Sequence, residues 1–300
     1  MSAIPASPAL RAAGPASPGR LGLQTFLANR MSLASAVIVL LILAAAVAAP
    51  LVAPHDPNET DLLRRLQPPA WLEGGEWSYL FGCDALGRDI LSRIVFGARV
   101  SIFIGVAVVA LATAIGIALG LAAGYLRGWT DIAISRVVDV LLGFPYLIFA
   151  IALMAMMGPG LQNIVLALVY KEWVIPCRVV RGETLAMRQT EFVEAARAVG
   201  ATRGRIMFGE ILPNILSPVI VVATIRMAHV IILEASLSFL GLGVQPPTAS
   251  WGSMVADGRA FILDAWWVST FPGLAILVLV LAINVASQGL RDAFDPKIND

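Results

Sequence analysis

The sequence predicts an all-α integral membrane protein with six transmembrane helices, and three observations carry that class. The 300 residues are 58% hydrophobic and only 14% charged, whereas an ordinary soluble domain carries about 25% charged residues. Mean hydropathy is +0.82. Apolar runs near the ~20 residues that a hydrocarbon core requires recur along the chain, without the ten-residue alternation of a closed β-barrel.

Residues 1–30 are rich in Ala, Pro, Ser and Gly. They cannot bury a core and read as a mobile cytoplasmic tail. The first apolar run, 31–53 with its heart at Ser32 to Val52, is too long for a signal-peptide core and reads as an uncleaved anchor. Residues 54–99 form a polar extracytoplasmic loop with Pro68, Pro69, Gly74 and Gly75. Residues 100–290 form a five-helix core. Val100 to Ala123 is the second span, and Val137 to Met157 the third, interrupted by Pro145. After the tight turn Gly158-Pro159-Gly160, the fourth span runs from Leu161 to near Val180 and is the weakest, because Lys171, Glu172 and Pro176 interrupt it. Asn214 to Leu240 is the fifth, Phe271 to Leu290 the sixth, and 291–300 a cytoplasmic tail.

Lys and Arg counts orient the spans. With both termini inside, thirteen of the 21 basic residues fall on inner segments and six on outer ones, while Lys171 and Arg226 lie within spans. Arg88, Arg93 and Arg99 cluster just outside the second span, against the trend.

A net charge of +1 leaves no electrostatic footprint for nucleic acid. Lipid is the partner that the composition implies. Cys83 and Cys177 make no disulfide framework and no metal spacing. No Gly-x-x-x-x-Gly-Lys-Ser/Thr loop, Gly-x-Ser-x-Gly elbow or His-Glu-x-x-His is present. Only His55 and His229 are available as histidines, so neither catalytic residues nor a metal or cofactor site is expected on this chain.

The polar segment 182–213 interrupts the apolar pattern. Glu191 to Val199 favours a helix and Gly200 breaks it. Arg203 to Ile211 starts a second short helix, ended by Pro213, which also opens the fifth span. Small Ala195 and Ala196 allow close approach of a partner, and Glu191, Glu194, Arg197, Arg203 and Arg205 offer charge. The triplet Glu194, Ala195, Ala196, with Gly200 and the closing Ile211, Leu212, Pro213, resembles the coupling loop of permease subunits in binding-protein-dependent ABC importers. The strings Phe81 to Arg93, Leu233 to Pro247 and Ser250-Trp251-Gly252 are similar to segments of the dipeptide, oligopeptide and nickel permeases. The similarity covers about 30–298, with Cys83 where Thr is expected.

That resemblance implies the type I ABC importer permease fold and a C-type permease subunit. Its partners would be a B-type permease, two ATPase subunits that bind ATP and Mg, and an extracytoplasmic substrate-binding protein. Localisation would be the bacterial inner membrane. The first loop and segment 241–269, stiffened by Pro246, Pro247, Trp251, Trp266 and Trp267, would face the binding protein. Di- or oligopeptides are the expected cargo, with nickel or glutathione as alternatives. An ion-coupled secondary transporter is the rival class.

Two further patterns stay open. Gly116, Gly120, Gly124 and Gly128 recur every fourth residue and make a groove for a helix, either within the chain or at the partner permease. Lys171, Glu172, Arg226, His229 and Glu234 lie in spans, where charge faces protein or water. They either pair with one another or line a translocation path, which Asp139 and the Gly143-Phe144-Pro145 kink would border. Spacing makes Glu234 a poor partner for Arg226, since eight residues separate them by about 12 Å.

Overall fold

The computed structural model describes residues 26, 27 and 29–294, so most of the tail assigned to 1–30 lies outside the described residues, as does the end of the C-terminal one. The described chain is helical, with a single isolated bridge between Cys83 and Asp89.

Helix α1, Arg30–Val47, starts on the Asn29 side chain, which accepts from Met31 N (3.1 Å) and Ser32 N (3.3 Å). The expected single run to residue 53 breaks at Ala48, where a four-residue turn Ala49–Val52 follows. Pro50 explains the break, because it brings no N–H and restricts the residue before it.

Helix α2, Ile90–Leu126, is 37 residues long and begins ten residues before the expected Val100. Its length of about 56 Å exceeds the ~30 Å hydrocarbon core. Asp89 caps it, accepting from Ser92 N at 2.8 Å. Arg93, which reads as a loop charge, is 3% exposed and donates to Pro57 O at 3.1 Å. Hydropathy marks where lipid begins, whereas the cap marks where the helix begins.

The third span is a broken one. Helices α3, Gly128–Gly143, and α4, Tyr146–Met157, meet at 93°. Pro145 removes a donor and excludes its neighbour from helical geometry, so a right-angled corner replaces a kink. The fourth comprises α5, Leu161–Glu172, and α6, Val174–Met187, interrupted at Trp173. Pro176 cannot donate to the carbonyl of Glu172, four residues back. Helix α6 also continues seven residues past the expected end, and takes Gly182 out of the assigned loop 182–213.

After α7, Glu191–Ala198, the chain re-enters a helix at Arg203 and runs unbroken to Phe239, through a π-turn at Ile206–Ile211 and α8, Leu212–Phe239. The expected separate helix ended by Pro213 is therefore the first turns of the span. A widened turn suits Pro213, which cannot donate to Gly209 O. Asn214 Nδ2 donates to Glu210 O at 2.7 Å and satisfies a carbonyl there. Helix α9, Trp251–Gly258, has a Ser250/Ser253 capping box, and α10, Trp267–Phe294, closes the bundle.

Among the described residues four helices (α1, α2, Arg203–Phe239 and α10) are long and apolar enough to cross a membrane, and the bent α3–α4 pair makes a fifth if its arms count as one span. The α5–α6 segment occupies the place of the predicted fourth span, and carries Lys171 and Glu172 near its middle.

Helix α2 is central, packing on α1, α5, α6 and α8. A Cβ on Gly116 would lie 2.6 Å from Pro176 Cβ, one on Gly120 2.7 Å from Cys177 O, and one on Gly124 2.7 Å from Thr184 Cβ. These three glycines thus seat α6 inside this chain. Gly128 does not join them: it opens α3 at φ +58°, and a Cβ there would meet nothing within 4 Å. Four-residue spacing places residues on one face only while one helix continues, and α2 ends at Leu126.

The loop 54–89 folds onto α9 and α10. Asp84 Oδ2 accepts from Arg88 Nε at 2.7 Å, and its Oδ1 accepts from Leu86 N at 2.8 Å. Trp251 Nε1 donates to Ile94 O at 2.8 Å and Trp267 Nε1 to Cys83 O at 3.4 Å. Trp251 and Trp267 are buried, and only Trp266 of the three expected cap tryptophans is well exposed, at 40%. The indole N–H groups lock this platform rather than face outward.

Candidate functional site

Two regions hold the sequence-predicted site residues. The first is the knob between α6 and the Arg203 helix. Helix α7 has Glu191 and Glu194 in its first turn and Arg197 in its last, which complements the helix dipole. Val193 is fully buried and anchors α7 among Leu121, Tyr125, Val180, Ile206 and Ile211. The helix ends in a Schellman motif: Ala201 N donates to Ala196 O and Gly200 N to Arg197 O, both at 3.1 Å. Gly200 sits at φ +82° with open space around it. That left-handed position is why glycine stands there.

Glu191, Glu194, Ala195 and Gly200 are exposed. Ala196 instead turns toward the buried cluster, Ile211 is fully buried within it, and Leu212 packs on its edge. The segment thus divides into an outward face (Glu191, Glu194, Ala195, Gly200) and a root (Ala196, Ile211, Leu212) that holds the knob on the span. Pro213 belongs to the helical turn at the root.

The second region is the charge cluster within the bundle, and it splits. Arg226 Nε donates to Glu172 Oε1. Arg226 Nη2 meets His229 Nδ1 at 2.9 Å, and His229 lies 3.9 Å from Glu172 Oε2. Glu172 is 1% exposed, and its Oε2 has no hydrogen-bond partner. His229 keeps 41% of its side chain accessible. Tyr146 stands edge-on to His229 with centroids 5.6 Å apart and donates through its hydroxyl to Leu168 O at 2.8 Å.

Lys171 is next to Glu172 in sequence but does different work. Its Nζ donates to Phe144 O and lies 5.3 Å from the Tyr146 ring centroid. Phe144 O is among the carbonyls left unpaired where α3 ends, so the lysine holds the right-angled corner. Glu234 is separate again, accepting from Ser101 Oγ at 3.1 Å and Ser238 Oγ at 2.8 Å. It ties α8 to α2. Asp139 makes no ion pair among the described residues.

Sequence reasoning missed Tyr146 and the Phe144 carbonyl. A tyrosine beside Pro145 in an apolar run was the available signal, since its hydroxyl needs a partner there.

A multispan helical bundle with a carboxylate–guanidinium–imidazole cluster inside and an exposed knob at one end of its spans has the makings of a membrane transport component. The sequence profile of binding-protein-dependent transport system inner membrane components matches residues 116–300, and the chain belongs to that family. A second profile, the N-terminal TM domain of oligopeptide transport permease C, matches residues 17–69. The di/tripeptide transport system permease protein DppC of Pseudomonas aeruginosa is 44% identical over 277 residues, which cover 92% of this chain and 91% of that protein. The probable D,D-dipeptide transport system permease protein DdpC of Escherichia coli K12 is 42% identical over 267 residues, 89% and 88% of the two chains. In structure, the inward-facing MetNI methionine ABC transporter matches with a TM-score of 0.56 and 19% identity, covering 69% of this chain and 98% of the MetNI chain. That likeness is one of fold.

Proposed function

We propose that this protein is the permease subunit of an ATP-driven peptide importer, carrying di- or oligopeptides inward across the inner membrane. One observation carries the reading: the exposed α7 knob is rooted through Val193, Ile211 and Leu212 in the same buried cluster as the ends of the spans. A push on the knob is thereby transmitted to the helices. Peptide cargo is favoured over nickel or glutathione by the likeness to dipeptide permeases at 42–44% identity over most of the chain.

In this reading Glu191, Glu194, Ala195 and Gly200 contact an ATPase subunit, while Ala196, Ile211, Leu212 and Pro213 transmit its movement. ATP and Mg are bound and hydrolysed on that separate subunit. A second, B-type permease completes the path, and a binding protein delivers cargo to the outer platform built from 54–89 and α9. The distribution of basic residues supports cytoplasmic termini. Glu172, Arg226 and His229 lie on the path side, where His229 is accessible. Lys171 and Glu234 hold the corner and the α2–α8 contact. Binding of nucleotide has to favour one conformer by about 5.5 kcal/mol to invert a 1:99 population.

The test is reconstitution of both permeases and the ATPase subunits in proteoliposomes, with the binding protein and a labelled dipeptide supplied on the face of the outer platform. Uptake that needs both ATP and the binding protein is expected. Uptake driven by a proton or sodium gradient without ATPase subunits would instead establish the secondary transporter.

A further inference from the structure

At the end of α2 a pocket of about 410 Å³ opens between Tyr125, Leu126 and the loop that carries α7. Three arginines converge on it: Arg188 at the end of α6, Arg197 in the last turn of α7, and Arg203 at the start of the long helix. The guanidinium carbons of Arg188 and Arg197 lie 5.8 and 6.0 Å from the centroid of one ring, Tyr125. Among the described residues none of the three has a carboxylate within 4.0 Å. Arg188 Nη1 is buried and has no hydrogen-bond acceptor.

This arrangement is incomplete by itself. Three like charges around one cavity repel, and a buried N–H without an acceptor is destabilising. An oxyanion placed in the pocket would satisfy both defects. Guanidinium forks match the paired oxygens of a phosphate, and they stack on aromatic rings as these two do. The location selects the source of the anion. Tyr125 and Leu126 end α2 just past Val100 to Ala123, the apolar stretch that the sequence assigns to the membrane, which puts the pocket where that stretch leaves the hydrocarbon core. Tyrosine is enriched at that level, and basic pockets between spans there bind anionic head groups. Leu126 is 42% exposed and offers an apolar edge beside the arginines.

We infer that the Arg188–Arg197–Arg203 pocket binds the phosphate of an anionic phospholipid head group and thereby ties the α7 knob to the membrane surface. This rests on the knob lying at a membrane face, as in the proposed function, but not on the cargo. The bound phosphate bridges α6, α7 and the start of the long helix, three elements that otherwise meet through the apolar cluster alone.

The experiment uses the full chain purified in mild detergent, with native mass spectrometry counting bound lipid during titration with phosphatidylglycerol, phosphatidylcholine or inorganic phosphate. Saturable binding of phosphatidylglycerol, with phosphatidylcholine much weaker and inorganic phosphate a poor competitor, is expected. Each arginine near an anionic surface contributes roughly fivefold, so R188Q/R197Q/R203Q should weaken binding on the order of a hundredfold. R188Q alone should weaken it about fivefold, which keeps the test available if the triple variant does not fold. R178Q, outside the pocket, should bind as the unaltered chain does. Wild-type lipid affinity in the folded triple variant would overturn the inference. So would tight binding of free phosphate without lipid. Retained lipid in the isolated triple variant, together with loss of ATPase subunits when that variant is co-expressed and co-purified with them, would overturn the inference and assign the pocket to a partner's carboxylate instead. Peptide uptake is not the readout, so failure of the peptide reading leaves this result interpretable.

Discussion

Replacing Arg226 by Met removes the charge that faces Glu172 while keeping an unbranched side chain in place. The size of the effect follows from where Glu172 sits. Its side chain is 1% exposed and one oxygen already has no partner, so loss of Arg226 leaves a buried carboxylate without its guanidinium, with His229 3.9 Å from it. An ordinary interhelical hydrogen bond in a membrane protein contributes about 0.6–2 kcal/mol. Stranding one member of a buried ion pair costs about 3–5 kcal/mol. The second effect dominates here, and Arg226→Met should lower stability by about 3 kcal/mol. Removing the stranded charge as well should restore most of it. Arg226→Met with Glu172→Gln should lie within about 1 kcal/mol of the unaltered protein, since a buried pair gains little over neutral groups of similar volume. The assay is thermal unfolding in detergent of both single variants and the double, read as a cycle, with complex assembly measured alongside. A double variant as unstable as the single one would refute the pairing. If stability returns in the double variant while uptake does not, the cluster serves transport as well as folding. Full uptake by the rescued variant would confine it to structure.

Gly120→Val should destabilise the chain by about 1–3 kcal/mol through overpacking, because its Cβ would meet the Cys177 carbonyl at 2.7 Å and backbone cannot rotate away; thermal unfolding checks this, and an unchanged midpoint would remove α6 from the groove. Gly200→Val should cost about 1–2 kcal/mol for a left-handed β-branched residue, with normal insertion but weakened co-purification of ATPase subunits; wild-type association would show that the knob is not the contact. Asp84→Asn should loosen the outer platform, since Asp84 holds Arg88 at 2.7 Å, and limited proteolysis should then cut within 54–89; an uncut loop would show that the pair does not hold it. Burial pushes the Cys83 thiol up to about 12. Its neutral form is thus favoured by the fold, with that stability present below the ordinary thiol value and lost as pH climbs toward about 12. Maleimide labelling should be slow at neutral pH and fast only after denaturation, and rapid labelling of the native protein would contradict the burial.

Lengths of apolar runs, the Gly-Pro-Gly turn and the proline positions were all legible locally, because hydropathy and the missing proline N–H act on neighbours in the chain. The helical knob and its glycine stop were legible for the same reason: a Schellman end is chosen within six residues, Ala196 to Ala201. The glycine series was legible as a groove, but not its occupant. Only packing shows Pro176, Cys177, Val180 and Thr184 filling it from α6, and Gly128 falling beyond it. The start of α2 was misjudged because Arg93, which reads as a loop charge, is buried against distant backbone at Pro57 O.

The charged residues divide along the same line. That Lys171, Glu172, Arg226, His229 and Glu234 needed partners followed from the sequence, since an ion in hydrocarbon is costly wherever it is. Which partner each took did not follow. Glu172 and Arg226 are 54 residues apart, Lys171 took a carbonyl freed by the corner at Pro145, and Glu234 went to serines on two helices. Composition and pattern determined that this chain is a helical membrane protein with a polar knob set among its spans. The tertiary structure decided which charges meet, because ion pairs and hydrogen bonds depend on distances of a few ångströms, and distances between separate helices exist only once the helices have packed.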